Sequence, residues 1–405
     1  MYKYKKYVPF LVFLAACVLF ALRRIDVFSN AQFWAEDGRF WFSQAYAYGW
    51  KSLLMPMTGY FQTLPRLTMQ IASLFPLEYV PLFSNIVALF FRGICVAFLF
   101  TTRFNFISIS ERVFIALYLV IMPGLSEVHC NITNTHWYLA LYGLMIIVAK
   151  RPATIQWKMH DFFFLFLSGI SGPFVLFLLP CFCVKFLFSE NKKAFVFVNK
   201  EHAIPLVVCF GIQAITLLLK EGARSSAPLG ASVHTFVQIF SSRILAGFAY
   251  DNPPVIWGLP PVILYLFTGL FVVWAGWIVW KGGWREKVVL SFFLLLLVAA
   301  LAKPMVDLVE PQWPHLQTRG KRYFVPLNIC FWALLVTSIR LPQKAKIGIF
   351  SVLIAFILVE NPFRLPPLPD THYKAQVERF EECPVGKQFS FDILPVGWTM
   401  ELTKK

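Results

Sequence analysis

The chain has 405 residues, 58% of them hydrophobic and only 14% charged, with a formal net charge of +16 and a mean hydropathy of +0.64. This balance points away from an ordinary soluble enzyme and toward a polytopic protein embedded among anionic membrane lipids. No basic soluble domain is present to carry a nucleic-acid surface, so no nucleic acid is expected as a partner.

The first hydrophobic run, at 8–22, follows Lys3, Lys5 and Lys6 and resembles a signal peptide, with Ser29-Asn30-Ala31 as a small-x-small site. Arg23, Arg24 and Asp26 interrupt the approach to that site, so the run is read as an uncleaved first span with a cytoplasmic N-terminus. Further runs fall at roughly 81–100, 113–124, 137–149, 161–171, 173–188, 204–219, 255–280, 288–302, 324–339 and 347–359. Together they predict an all-α polytopic bundle of about eleven transmembrane helices. Several runs are shorter than the ~20 residues a straight span needs, so some helices should be broken. The clearest break is Ser168-Gly169-Ile170-Ser171-Gly172-Pro173, read as a turn between two short helices near the external face.

Orientation follows from the short basic loops. Lys3/Lys5/Lys6, Arg103/Arg112, Lys150/Arg151/Lys158, Lys192/Lys193/Lys200, Lys281/Arg285/Lys287 and Arg340/Lys344/Lys346 alternate onto one side, read as cytoplasmic. The other side receives about 23–80, 125–136, 220–254, 303–323 and the tail 360–405. The expected organisation is a transmembrane bundle over 1–359, its first external loop (23–80) catalytic, and an external tail over 360–405. The tail is Pro-rich at 362–369 and so extended there. It then carries Tyr373, Phe380, Phe389, Phe391 and Trp398, too many rings for a disordered end, and should fold over the bundle mouth.

The eight cysteines form no metal pattern. Cys181 and Cys183 are one residue apart in an apolar run and read as packing. Cys130 and Cys383 fall in external segments, which leaves a disulfide or two free thiols open. No cofactor is indicated; a divalent metal stays open, with no ligand set that asks for one.

Three external segments carry the candidate chemistry. The first is Phe33-Trp34-Ala35-Glu36-Asp37-Gly38-Arg39-Phe40-Trp41. Acids beside lipid are expensive unless they face a cavity or a partner. Wound as a helix at ~100° per residue, the segment puts Asp37 in the middle of an aromatic face, between Phe33, Phe40 and Gln44 on one side and Trp34, Trp41 and Tyr48 on the other. Glu36 lies near the edge of that face, and Arg39 roughly opposite Asp37. Rings stack on the apolar faces of sugars while an acid reaches a hydroxyl, so Asp37 is the expected catalytic base and Glu36 the second candidate. The alternative is an interfacial anchor helix with solvated acids. In the same region, Arg66 is a candidate for holding a phosphate or an acid, against a snorkelling arginine.

The second segment is Glu127-Val128-His129-Cys130-Asn131-Ile132-Thr133-Asn134-Thr135-His136-Trp137-Tyr138. His129, Asn131, Asn134, His136 and Trp137 offer contacts for sugar hydroxyls, against a role in helix capping. Zinc does not fit, because the two histidines are seven apart with no cysteine pair or HExxH. Asn131-Ile132-Thr133 also matches a glycosylation acceptor. The third segment is Gln317-Thr318-Arg319-Gly320-Lys321-Arg322-Tyr323-Phe324. Arg319, Lys321 and Arg322 cluster where orientation does not call for cations, and suit the phosphate of a lipid carrier or of an ordinary headgroup.

Adjacent acids limit the mechanism. Glycosidases need carboxylates ~5–9 Å apart across the bond, and residues i and i+1 on a helix do not face each other. One base suffices when the leaving group is a lipid phosphate, which needs charge neutralisation rather than protonation.

In these segments the chain resembles the GT-C superfamily of integral membrane glycosyltransferases, and within it the Gtr-type O-antigen-modifying glucosyltransferases of enteric bacteria and their phages. The carriers are Trp34-Ala35-Glu36-Asp37-Gly38, Asn131-Ile132-Thr133-Asn134-Thr135-His136-Trp137, Ser168–Pro173, Gly320-Lys321-Arg322-Tyr323-Phe324 and Pro395-Val396-Gly397-Trp398-Thr399-Met400. The resemblance implies a polyprenyl-phosphate sugar donor, a lipid-linked or surface glycan acceptor, and an acid of the first external loop, Asp37 or Glu36, as base. It also implies work at the periplasmic face of the bacterial inner membrane. Tyr323, beside the basic cluster, is a further candidate for substrate contact, and Trp398, in a tail folded over the bundle mouth, is expected near the acceptor. The rival readings are an O-antigen polymerase and a non-catalytic flippase or transporter of lipid-linked glycans. A transporter would want midplane charges and related halves, whereas Arg92 is the main intramembrane charge and no repeat is evident.

Overall fold

The computed structural model describes residues 7–189, 191–219, 227–306, 309–316 and 318–405. Lys3, Lys5, Lys6 and Gln317 lie outside the described residues, as do 220–226, 307 and 308 of two loops read as external.

The hydrophobic runs fall on helices: α1 (Val8–Arg23), α2 (Thr63–Ala72), α3 (Val80–Phe98), α4 (Ile109–Ile121), α5 (Thr135–Val148), α6 (Ile155–Ile170), α7 (Val175–Leu187), α8 (Lys200–Leu218), α9 (Pro261–Lys281), α10 (Trp284–Ala302), α11 (Val325–Ser338) and α12 (Gln343–Glu360), with α2 amphipathic in the first loop. Local chemistry sets their starts. Proline occupies the first turn of α1, α3, α9 and α11, where its missing N–H is not needed. Ser108 and Glu111 form a capping box at the start of α4, satisfying two amides that have no partner within the helix.

A helix is not always a span, and here the expected count fails. Among the described residues, three helices are long and apolar enough to cross a membrane: Leu77–Phe98, Lys200–Leu218 and Pro261–Lys281. The described residues therefore do not form the expected bundle of about eleven transmembrane helices. α1, α5 and α7 are apolar but have 16, 14 and 13 residues, short of the ~30 Å hydrocarbon core at ~1.5 Å per residue. α10 opens on Arg285, Glu286 and Lys287, and α12 carries Lys344, Lys346 and Glu360. Membrane contact is plainest at α9. Only 17% of its most apolar stretch is buried inside the protein, and Val262, Leu266, Val273 and Trp280 are exposed, a patch too apolar for water.

Glycines let helices approach closely, as in membrane packing. A Cβ on Gly169 of α6 would lie 2.6 Å from the Cβ of Cys209 on α8. The turn after α6 is tied down by Gln213 of α8, whose Nε2 donates to the carbonyls of Gly169 (3.2 Å) and Gly172 (3.1 Å).

The chain is not all helical. After α12, residues 365–372 run without regular structure past the end of α1 and the segment that follows it. There the Leu365 amide donates to the Arg23 carbonyl at 2.7 Å, Arg24 Nε to Pro366 O at 2.8 Å, and Gln32 Nε2 to Pro369 O at 3.2 Å. A short helix, α13 (Tyr373–Glu381), and an antiparallel hairpin, β1 (Gln388–Ile393) and β2 (Trp398–Thr403), complete the tail, with Gln388 opposite Thr403 and Ile393 opposite Trp398. Phe391, Ile393, Met400 and Leu402 pack with Tyr373, Val377 and Phe380 in one core with Phe33, Trp41 and Phe42. The hairpin turn then reaches the acidic segment: the Leu394 amide donates to Phe33 O at 3.0 Å, and the Ala35 amide donates to Leu394 O. All eight cysteines are free, so Cys130 and Cys383 are not joined.

The bundle has two distinct ends. At one, Arg103 Nε donates to the Lys150 carbonyl (2.8 Å), Arg285 Nε to the Val148 carbonyl (2.8 Å), and Lys346 pairs with Glu111 at 2.5 Å. At the other, the acidic segment, the 126–137 loop, residues 303–306 and 318–323 and the Leu394–Trp398 turn surround a large cavity.

Candidate functional site

The cavity has a volume of about 630 Å³, within the range of small-ligand sites. Of the residues expected in a site, it brings together Trp34, Glu36, Trp41, Asn134, His136, Trp137, Arg319, Lys321, Arg322, Tyr323 and Trp398. Asp37, Arg66, His129 and Asn131 do not line it.

The acids sit the other way round from the helical projection. Glu36 is half-buried on the cavity wall, and the Thr133 hydroxyl is 3.4 Å from its Oε2. Asp37 is 1% exposed. Its Oδ1 accepts from the Thr133 amide at 2.8 Å and its Oδ2 from the Ile132 amide at 3.2 Å. Burial pushes the Asp37 carboxyl well above its ordinary value; the Thr133 amide opposes this and the neighbouring Glu36 adds to it. The reason for the inversion is local winding. Residues 37–42 form a π-helix, whose i→i+5 bonding changes the phase. Just before it, Ala35 has φ +44°, a left-handed conformation unfavourable for a residue with a Cβ. Two bonds hold it there, from its own amide to Leu394 O and from the Arg39 amide to its carbonyl.

The 126–137 loop is built by its own polar groups. Asn131 Nδ2 donates to the Glu127 carbonyl at 2.8 Å, and Asn131 Oδ1 accepts from Asn134 Nδ2 at 2.9 Å. Asn131 is thus a buried loop-former, and its amide is not an accessible glycosylation acceptor. Asn134 Oδ1 accepts from Trp137 Nε1 at 3.3 Å, fixing that ring on the cavity wall. His129 is buried, and burial, then the Arg92, Arg23 and Arg24 cations, hold its imidazole well below its ordinary value. Arg92 braces the loop from α3, donating to Ala88 O at 2.7 Å and to Val128 O.

Arg66 is buried behind the wall. Its guanidinium lies 4.8 Å from the Trp41 ring centre and donates to Gln44 Oε1 at 2.7 Å; burial lowers its pKa to about 10. Trp41 in turn donates from Nε1 to the Thr133 hydroxyl at 3.2 Å. A chain of contacts thus runs from Arg66 through Trp41 and Thr133 to Glu36. Arg39 is exposed outside the cavity, 5.3 Å from the Trp398 ring centre.

Two cavity cations already have acid partners. Arg322 pairs with Glu127; burial works against its charge, but Glu127 outweighs it and holds the guanidinium above its ordinary value. Lys321 pairs with Asp251 at 2.5 Å, and Asp251 also faces Arg243 at 3.8 Å. Lys303, which the sequence reading passed over, lines the same cavity just after α10. It is exposed, and its ammonium makes no hydrogen bond or ion pair with a described residue. Its signal was available: a lysine following a hydrophobic run, on the side where basic residues are not called for. Gln62 was also missed. It lines the cavity while 5% exposed, and its Oε1 has no hydrogen-bond partner among the described residues. Among the described residues, no group of three or more His, Cys, Asp or Glu is placed to hold a metal ion.

No protein-family model, no curated protein and no solved structure matches the chain.

Proposed function

We infer that the chain is a membrane glycosyltransferase. It moves a hexose, glucose by the resemblance, from a polyprenyl-phosphate donor to an O-antigen or related surface glycan. The observation that carries this reading is the Glu36 carboxylate on the wall of a cavity that also holds Lys303, Arg319, Lys321 and Arg322 and the rings of Trp34, Trp137, Tyr323 and Trp398, the other lining carboxylate, Glu127, being paired with Arg322.

In this mechanism Glu36 accepts the proton of an acceptor hydroxyl. The hydroxyl oxygen bonds to the anomeric carbon as the carbon–oxygen bond to phosphate breaks, and the phosphate leaves with the electron pair. Lys303 meets the phosphate, because Lys321 and Arg322 are engaged by Asp251 and Glu127. Asp37 acts as a positioning residue, holding Ile132 and Thr133 so that Thr133 faces Glu36. The setting is the bacterial inner membrane, N-terminus cytoplasmic, with the cavity and the C-terminal tail periplasmic.

The test is transfer from a lipid-phosphate-linked sugar in membranes containing the full chain, read by mass spectrometry of the glycan. Glu36→Gln is expected to abolish transfer with the protein level unchanged. Asp37→Asn keeps the shape of the side chain and is expected to stay within about tenfold of the parent, about 1.4 kcal/mol in the barrier. Retained transfer in Glu36→Gln, with loss in Asp37→Asn, would return the base to Asp37.

A further inference from the structure

We propose that the opposite end of the bundle holds a second site, which takes one hydrocarbon chain of an anionic phospholipid, with its phosphate on Arg285 and Arg340. This site is separate from the transfer cavity and does not depend on that reading.

A cavity of about 370 Å³ lies between α4, α5, α10 and α11, walled by apolar residues that include Ile115, Leu144, Val289, Ile329, Ala333 and Leu334. Such walls offer water few hydrogen-bond partners, and an unfilled apolar space forfeits the dispersion contacts of its lining. A hydrocarbon chain lying along the helices meets both conditions.

The polar lining residues identify the head of the occupant. Arg285 is fixed by donation from Nε to Val148 O at 2.8 Å and by the Phe106 and Trp284 rings, 4.0 and 4.3 Å from its guanidinium carbon. Its two terminal nitrogens make no hydrogen bond with a described residue. Arg340 is exposed and lines the same cavity. The carboxylates there are already used: Glu111 accepts from Lys346 at 2.5 Å and from Ser108, and Glu286 accepts from the Gly283 amide at 2.7 Å. What remains on the lining is two guanidinium groups, chemistry suited to phosphate oxygens.

Depth agrees with chemistry. Arg340 Nη2 donates at 3.4 Å to the carbonyl of Lys281, the last residue of α9, one of the three helices able to cross a membrane. The mouth therefore sits where α9 leaves the bilayer, at the level of lipid phosphates.

The experiment uses the full chain in nanodiscs of 3:1 phosphatidylcholine and phosphatidylglycerol. A photoactivatable phosphatidylglycerol carrying a diazirine near the end of one acyl chain is expected to label peptides containing Leu144 or Ile329. Native mass spectrometry after detergent extraction is expected to retain phosphatidylglycerol over phosphatidylcholine. Arg285→Ala/Arg340→Ala should lower that retention about tenfold or more, and Ala333→Trp, which fills the chamber, should remove the labelling. Labelling confined to the exposed face of α9, or equal retention of the two lipids, overturns the proposal. So does preferential retention of a free fatty acid or of a polyprenyl phosphate. The labelling arm uses the unaltered protein, so a variant that fails to fold does not decide the result.

Discussion

At the scale of single residues, the two adjacent acids differ because one has water and one has not. Glu36 opens on a cavity, whereas Asp37 spends both oxygens on backbone amides. Burial raises the Asp37 carboxyl above its ordinary 3.8, so the folded chain holds that proton more tightly than the unfolded one. The sign follows from linkage: this contribution to stability is full below 3.8 and is lost as pH rises toward the raised folded value. Asp37→Asn cannot titrate, so the stability of the parent relative to this variant should fall as pH rises from 4 to 7 in denaturant or thermal melts. Asp37→Ala leaves two buried amides without an acceptor and should cost about 1–3 kcal/mol. If the parent instead gains on Asp37→Asn with rising pH, the two amide bonds outweigh burial and Asp37 is ionised in the fold.

At the scale of elements, helices were legible and spans were not. Apolar runs bounded by Pro81, Ser108 or Thr154 mark helix starts through local chemistry. Whether such a helix crosses a membrane depends on length and on charges at its ends, which is where α5, α7 and α10 depart from expectation. The site was legible as polar islands between apolar runs, because such islands gather at the end of a bundle. The choice between Glu36 and Asp37 was not. It turns on a left-handed Ala35 held by Leu394, a contact between distant parts of the chain that no helical projection contains. Helix contacts make their own prediction. Gly169→Ala forces a Cβ against Cys209 between α6 and α8 and is expected to destabilise by about 1–3 kcal/mol. Gly211 on α8 has nothing within 4 Å, so Gly211→Ala should be neutral or slightly stabilising. Thermal unfolding in detergent compares the two; equal effects would mean that α6 and α8 do not pack this closely.

At the scale of the whole molecule, the tail joins parts that chain order separates. Residues 365–369 bind the end of α1 and the segment after it through Arg23, Arg24 and Gln32. The hairpin closes a core over Phe33 and Phe42, and its turn places Pro395 and Trp398 on the cavity. Deletion from Phe389 onward removes the Leu394 bonds that hold Phe33 and Ala35, and it uncovers Tyr373, Val377 and Phe380. The three helices able to cross a membrane all end by Lys281, so the shortened chain should still reach the membrane. If the chain is the glycosyltransferase proposed above, transfer should nevertheless fall by about a hundredfold, roughly 2.7 kcal/mol in the barrier, because Glu36 loses its fixed approach to the cavity. Leu394→Ala keeps the backbone bonds and should cost far less, which separates loss of the turn from loss of one side chain. Full activity in the deletion, with normal membrane levels, would detach the tail from the site and leave the winding around Ala35 to be held by the bundle alone.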